Sequence, residues 1–155
     1  MKLLQLIRHA ALALLASTSL VFAQERGTAD DAKALVEKGI AHFKVVGPEK
    51  AFADFSDKDS GKWVNKDLYI VVLKSDGVIQ AQGVNKALVG KNLWDVKDPN
   101  GKYFTRDLLE MGMKGSGWVD YQFTDPVTKK LAAKSSYAAR LPNYDGIIAV
   151  GIYKN

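Results

Sequence analysis

The chain has 155 residues, of which 47% are hydrophobic and 25% charged, and its formal net charge is +5. This composition is typical of one folded domain and excludes disordered, collagen-like and coiled-coil proteins. The lack of cysteine excludes disulfides, thiol nucleophiles and thiolate metal sites. With only His9 and His42 present, a multi-histidine metal centre is excluded and histidine-based hydrolysis is disfavoured. We expect no cofactor and no metal.

Residues 1–23 have the pattern of a secretory signal peptide. A positively charged start precedes a run of alanine and leucine at residues 10–16, and Val21 and Ala23 supply the slim side chains that signal peptidase accepts at positions −3 and −1. An uncleaved transmembrane anchor is the alternative, but it needs about 20 apolar residues and polar ones interrupt this stretch. We expect cleavage after Ala23, one domain at residues 24–155, and a periplasmic or secreted product.

The positive charge does not predict a nucleic-acid partner. Lys2 and Arg8 supply two of the five net charges and lie in the predicted signal peptide. The other lysines alternate with acidic residues along the chain, whereas a nucleic-acid interface gathers basic residues on one face. We therefore expect no nucleic-acid binding, and no membrane-spanning segment after the signal peptide.

Helical patterns come first in this domain. Thr28 can cap a helix whose apolar residues at 32–43 recur every three or four positions, and Pro48 can open a second helix. After a long loop at 83–102, residues 104–114 predict a short third helix. The apolar stripes of these helices predict core packing.

Five segments have the pattern of β-strands, with short turns between neighbours that favour antiparallel pairing. They are residues 68–74, 78–82, 118–124, 131–141 and 146–153. We expect an α+β fold with the N-terminal helices packed on a five-stranded antiparallel sheet. The long loop and short helix then cover the other face, which leaves a pocket beneath them.

Short motifs in a fixed order carry a family resemblance. They are Gly47-x-x-x-Ala51-Phe52, Tyr69, Asp76-Gly77, Gly90-x-Asn92-Leu93, Asp98-x-Asn100-Gly101, Gly115-x-Gly117-Trp118-Val119-x-Tyr121, Lys134-x-x-Tyr137 and Gly151-Ile152-Tyr153. Together they span nearly all of the domain. The chain resembles the single Cache domain, a PAS-like extracytoplasmic sensor module of chemoreceptors and sensor kinases.

This resemblance implies binding of a small molecule, often a short carboxylate, without catalysis. Two features depart from the family. Gln82 stands where a histidine is common, and the chain stops at Asn155 without flanking transmembrane helices or an output domain. A stand-alone exported version is expected, which would signal through a separate membrane sensor protein. The alternatives are a module that docks on a membrane sensor or another envelope protein without binding a ligand and, less favoured, an enzyme.

Eight residues are candidates for the ligand site: Tyr69, Gln82, Trp94, Arg106, Trp118, Tyr121, Lys134 and Tyr137. A carboxylate needs a cation, for which Lys134 is the first choice and Arg106 the alternative. The tyrosines offer hydroxyl groups, and Trp94 could form an aromatic lid. A solvated lysine, a surface ion pair of Arg106 and aromatic core residues are the competing interpretations.

The alternation of side chains along a strand limits this set. Lys134 and Tyr137 have opposite parity, so both reach one pocket only if the strand bulges or the pocket wraps around its edge. Trp118 and Tyr121 also differ in parity, which indicates that one of them belongs to the core.

Overall fold

The structure is a computed structural model that describes residues 25–154. Two helices come first in this part of the chain. They are α1 (Ala29–Val46) and α2 (Pro48–Phe55). The hydroxyl of Thr28 accepts an N–H group of the first turn of α1 and so caps it, as predicted. Gly47 separates the helices at a φ of +79°, which glycine adopts without strain. The predicted signal peptide lies outside the described residues.

The β-strands form one antiparallel sheet, as expected. Six strands take part, namely β1 (Val64–Asn65), β2 (Leu68–Lys74), β3 (Ile79–Gln82), β4 (Ser116–Thr124), β5 (Leu131–Arg140) and β6 (Gly146–Tyr153). Their order is β1-β2-β6-β5-β4, and β3 also pairs with β2. The two-residue strand β1 lies in a mostly polar segment for which no strand was predicted, and it pairs with the start of β2. The sheet therefore has one strand more than predicted.

The two faces of the sheet carry different partners because side chains alternate along each strand. Ile148 and Val150 of β6 belong to the core beneath α1 and α2. Ile147 and Ala149 face the opposite way and pack with α3 (Phe104–Met113). This arrangement agrees with the predicted α+β fold.

The long connection between β3 and α3 lies on the same face as α3. Its start is fixed by Gln82, whose Oε1 accepts the N–H groups of Val84 and Asn85. Farther along, Leu88 and Leu93 pack against the α3 side of the core. The connection and α3 thus enclose space above the sheet. No helix among residues 25–154 combines the length and apolarity that a membrane span requires.

Candidate functional site

A small cavity of about 40 Å³ lies between the sheet and its cover of loop and α3. It is lined by Tyr69, Val71, Leu73, Ile79, Gln82, Leu88, Leu93, Phe104, Thr105, Leu108, Tyr121, Phe123, Lys134, Ser136, Ala149 and Gly151. A groove of about 660 Å³ beside α1 and the β5–β6 turn is larger, but it is wide open to solvent. An enclosed cavity with few polar groups is the better candidate for a small ligand.

Lys134 supplies a buried cation at this cavity. Only 3% of its surface is exposed. Its Nζ donates to the hydroxyl of Tyr69 at 2.7 Å and to that of Tyr153 at 3.2 Å, and it lies 4.4 and 4.7 Å from the centres of those two rings. No carboxylate of the described chain is in salt-bridge contact with it. Since an ammonium has three N–H donors, one remains for another acceptor.

Burial lowers the pKa of Lys134 to about 7, and the charges of Asp67 and Asp125 oppose this effect only in part. Those two carboxylates are bound instead to Arg26, at 2.9 and 2.6 Å. A buried cation without a contacting anion is unfavourable. The site is therefore suited to an anion that enters from outside the protein.

Hydroxyl groups surround the ammonium. Tyr153 donates to the carbonyl oxygen of Thr124 at 2.9 Å, so its own hydrogen is already engaged. Tyr121 and Ser136 share one hydrogen bond of 2.9 Å, which leaves the other hydrogen of this pair free. Burial raises the pKa values of Tyr69 and Tyr121, so both hydroxyls stay protonated at neutral pH.

Strand register brings these groups together. Lys134 of β5 lies opposite Tyr121 of β4 on one side and Tyr153 of β6 on the other. Gly151 lies opposite Ser136, and a Cβ atom there would be 2.2 Å from Cε of Lys134. The missing side chain of Gly151 thus makes room for the lysine.

Most of the remaining lining is apolar. Toward the other end of the same strands, it consists of aliphatic side chains of these strands and of α3, such as Leu73, Ile79, Leu108 and Ala149. The cavity therefore has one polar and one apolar end, which suits a short molecule with an anionic head.

Four of the eight predicted site residues line this cavity: Tyr69, Gln82, Tyr121 and Lys134. Gln82 also holds the start of the covering loop through its Oε1. Its Nε2 makes no hydrogen bond to the residues described, so it can act as a donor. Their role in binding stays a prediction.

Trp118 and Tyr137 lie on the opposite face of the sheet. They are register partners, with ring centres 5.4 Å apart, and pack against the core beneath α1. The hydroxyl of Tyr137 donates to Ser116 at 2.8 Å. Because β4 and β5 pair without a bulge, alternation keeps both side chains away from the cavity.

Trp94 and Arg106 lie outside the cavity as well. Arg106 forms an ion pair with Asp95, donates from Nε to the carbonyl oxygen of Trp94 at 2.9 Å, and stacks 3.9 Å from the ring centre of Tyr103. Trp94 is 39% exposed. Arg106 is thus engaged in a surface ion pair, as the alternative to its role as ligand cation predicts.

Sequence reasoning did not select Thr105, Ser136 or Tyr153. Tyr153 occurs in a family motif, and Ser136 has the same parity as Lys134, so the sequence offered a reason to select both as site residues. It offered no reason to select Thr105, since a threonine near a helix start is common.

Solved sensor domains share this fold. A methyl-accepting chemotaxis protein from Vibrio parahaemolyticus matches with a TM-score of 0.71 and 25% identity over 80% of this chain and 86% of its own. A Cache chemosensory domain, solved to explain its recognition of carboxylic acids, matches with a TM-score of 0.67 and 18% identity, over 81% of this chain and 92% of its own. At that identity the second likeness shows the fold alone.

Sequence comparison leads to the same group of proteins. Methyl-accepting chemotaxis protein CtpM of Pseudomonas aeruginosa is 36% identical over 88 residues, which is 56% of this chain and 16% of that receptor. This chain thus matches a small part of a much longer protein. The pattern of the family described as Single Cache domain 2 matches residues 9–155. The chain belongs to the single Cache domain family of extracytoplasmic sensor domains.

Proposed function

We propose that this domain binds a short carboxylate in the cavity beneath α3 as the input of an extracytoplasmic sensor. The observation that carries the proposal is the buried ammonium of Lys134, which has one N–H donor left and no contacting carboxylate among the described side chains. The structurally similar Cache domain that recognises carboxylic acids adds support.

In the proposed complex the carboxylate lies at the polar end of the cavity. One oxygen accepts the third N–H of Lys134, and another hydrogen comes from the Tyr121–Ser136 pair, since the hydrogen of Tyr69 is directed at the hydroxyl of Tyr153. The hydrocarbon part contacts the aliphatic lining at the other end. A volume of about 40 Å³ admits only a few heavy atoms, which favours ligands with a short carbon chain.

Isothermal titration of the purified chain with acetate and propionate tests this proposal. We expect both to bind, and Lys134→Met to weaken binding at least tenfold because the charge-assisted hydrogen bond is lost. Lys130→Met, which removes an exposed lysine of the neighbouring turn, is the matched control and should bind like the unaltered protein. Circular dichroism verifies that both variants fold.

Unchanged affinity in Lys134→Met would place the anion elsewhere. No binding of any carboxylate by the unaltered protein would overturn the proposal and favour the docking module.

We infer further that residues 1–23 are a cleaved signal peptide and that a membrane sensor protein receives the signal. N-terminal sequencing of the protein from the periplasm tests the first point, and a start at residue 24 is expected. Cross-linking in the envelope with and without ligand tests the second.

A further inference from the structure

The side chain of Lys134 also meets the conditions for a reactive amine. It is almost fully buried, and no described carboxylate contacts its Nζ. Because burial lowers its pKa to about 7, roughly half of the molecules carry the neutral amine at neutral pH. A neutral amine has a lone pair on nitrogen, and a lysine desolvated in this way is a nucleophile.

The space beside this amine is small and mostly apolar. The cavity of about 40 Å³ admits only a few heavy atoms, about the size of a carboxyl group. The ring centre of Phe123 lies 5.3 Å from Nζ of Lys134. Such a space favours a small, uncharged reactant, which can enter without losing the hydration of a charge.

Two hydroxyl hydrogens at the cavity have no partner in the described chain. The Oγ1 of Thr105 is buried and makes no hydrogen bond, and the pair of Tyr121 and Ser136 shares one bond and keeps one hydrogen free. A Cβ atom on Gly151 would be 2.2 Å from Cε of Lys134 and 2.3 Å from Oγ of Ser136, so both atoms border the same gap. Since nearly all buried polar groups are hydrogen-bonded, these donors call for acceptor oxygens beside the amine.

From this arrangement we propose that Lys134 is a carbamylation site, at which the amine reversibly captures CO₂. The nitrogen lone pair forms a bond to the carbon of CO₂, one C–O π pair moves onto oxygen, and a proton leaves the nitrogen for the solvent. The product is a carbamate whose two oxygens accept the free hydrogen of the Tyr121–Ser136 pair and that of Thr105. Neither oxidation nor reduction takes place.

The charged groups near Lys134 permit this reaction. Asp67 and Asp125 favour the ammonium form, but both are paired with Arg26, at 2.9 and 2.6 Å, whose charge offsets one of the two. The phenols of Tyr69, Tyr121 and Tyr153 are neutral near pH 8, because burial raises their pKa values. Since the reaction releases a proton, the yield of carbamate rises from pH 6 to pH 8.

Chemical trapping tests the proposal with the purified chain. The protein is equilibrated with ¹³C-labelled bicarbonate at pH 8, and ¹³C NMR detects the carbamate. Triethyloxonium then converts it to the stable ethyl carbamate, which peptide mass spectrometry locates. We expect label at Lys134, loss of that label in Lys134→Met, and unchanged label in Lys130→Met, which alters an exposed lysine. The amino terminus is an ordinary amine that also forms carbamate, so it verifies the trapping in every sample.

Two variants of Thr105 test the contact with the carbamate. Thr105→Val keeps the shape and removes the hydroxyl, so the equilibrium constant for carbamate formation should fall about tenfold, the effect of one hydrogen bond to a charged group. Thr105→Ser keeps the hydroxyl and should keep the constant. Equal constants in the valine and serine variants would contradict the contact.

Trapping at the amino terminus without trapping at Lys134 would overturn the inference. The carbamate forms whether or not a carboxylate binds, so its detection without any binding of acetate refutes the proposed function alone. Binding of acetate without any carbamate refutes the inference alone. Where both hold, acetate should protect Lys134 from trapping, because the two occupy one cavity, and the domain then responds to CO₂ as well.

Discussion

Lys134 links ligand binding to pH. Three of the strands packed around it contribute phenols, Tyr69, Tyr121 and Tyr153, and burial raises the pKa of each, so they stay neutral at physiological pH. Burial opposes the ionisation of Asp125, but its hydrogen bonds from Arg26 and the backbone outweigh this and lower its pKa. Between pH 6 and 9, Lys134 is therefore the group near the cavity that titrates.

We predict that carboxylate affinity is constant below about pH 6 and falls nearly tenfold per pH unit above pH 7. The pKa of Lys134 is about 7 in the ligand-free protein, and a carboxylate binds the protonated amine. Above pH 7 each binding event must therefore take up a proton. Titrations from pH 5.5 to 9, in two buffers of different ionisation enthalpy, measure both effects. A flat affinity profile with no proton uptake would contradict the role of Lys134.

At the scale of an element, β6 gives the lysine its space. Almost every residue of β6 is buried, because it lies between β2 and β5 with helices on both sides. Close packing leaves little free space around such a strand. A glycine within it can thus determine which positions the side chains of the adjacent strands can occupy.

We predict that Gly151→Ala lowers carboxylate affinity at least tenfold, since the new Cβ would be 2.2 Å from Cε of Lys134 and must displace the ammonium. Gly39→Ala in α1 is the matched control. Its Cβ would be 2.6 Å from Cδ1 of Ile148 on the other face of the sheet, so it strains the core and spares the cavity. Thermal unfolding should show both variants destabilised, and titration should show a loss of binding only in Gly151→Ala. Equal affinity in the two variants would rule out this function of Gly151.

Local sequence patterns were sufficient to predict most of the helices and strands. Apolar spacing, the Thr28 cap and Pro48 predicted α1 and α2, and the β-rich run at 68–74 is β2 to the residue. The strand β1 was missed because its two residues have no alternation, and its conformation depends on pairing with β2.

The site could be predicted only in part. Parity separates Lys134 from Tyr137, but it does not tell which face α1 covers. The contact of Lys134 with Tyr153, and that of Phe104 with Tyr121, join segments that are distant in sequence. Such contacts follow from register and helix docking, which single-sequence patterns do not contain.

On the scale of the whole molecule, Arg26 joins the start of the domain to two turns of the sheet. Its guanidinium bonds Asp67 before β2 and Asp125 after β4, and both carboxylates are almost fully buried. The segment before α1 is thereby fixed beside the polar end of the cavity.

We predict that Arg26→Met destabilises the protein by about 3–5 kcal/mol, because it leaves two buried carboxylates without a counter-charge. Lys66→Met is the control. Lys66 pairs with Glu25 at 2.9 Å and with Asp31 at 3.5 Å, but these carboxylates are 81% and 34% exposed, so this loss should be much smaller. Urea unfolding measures both values. Similar losses in the two variants would show that the Arg26 contacts add no stability.

The guanidinium of Arg26 also lies 5.9 Å from the ring centre of Tyr153, the last residue of β6. The first and last described segments of the domain therefore meet. A short linker between them would close the chain into a ring at little cost in loop entropy. New termini can then be placed in the exposed turn at residues 57–60, so the fold is suited to circular permutation.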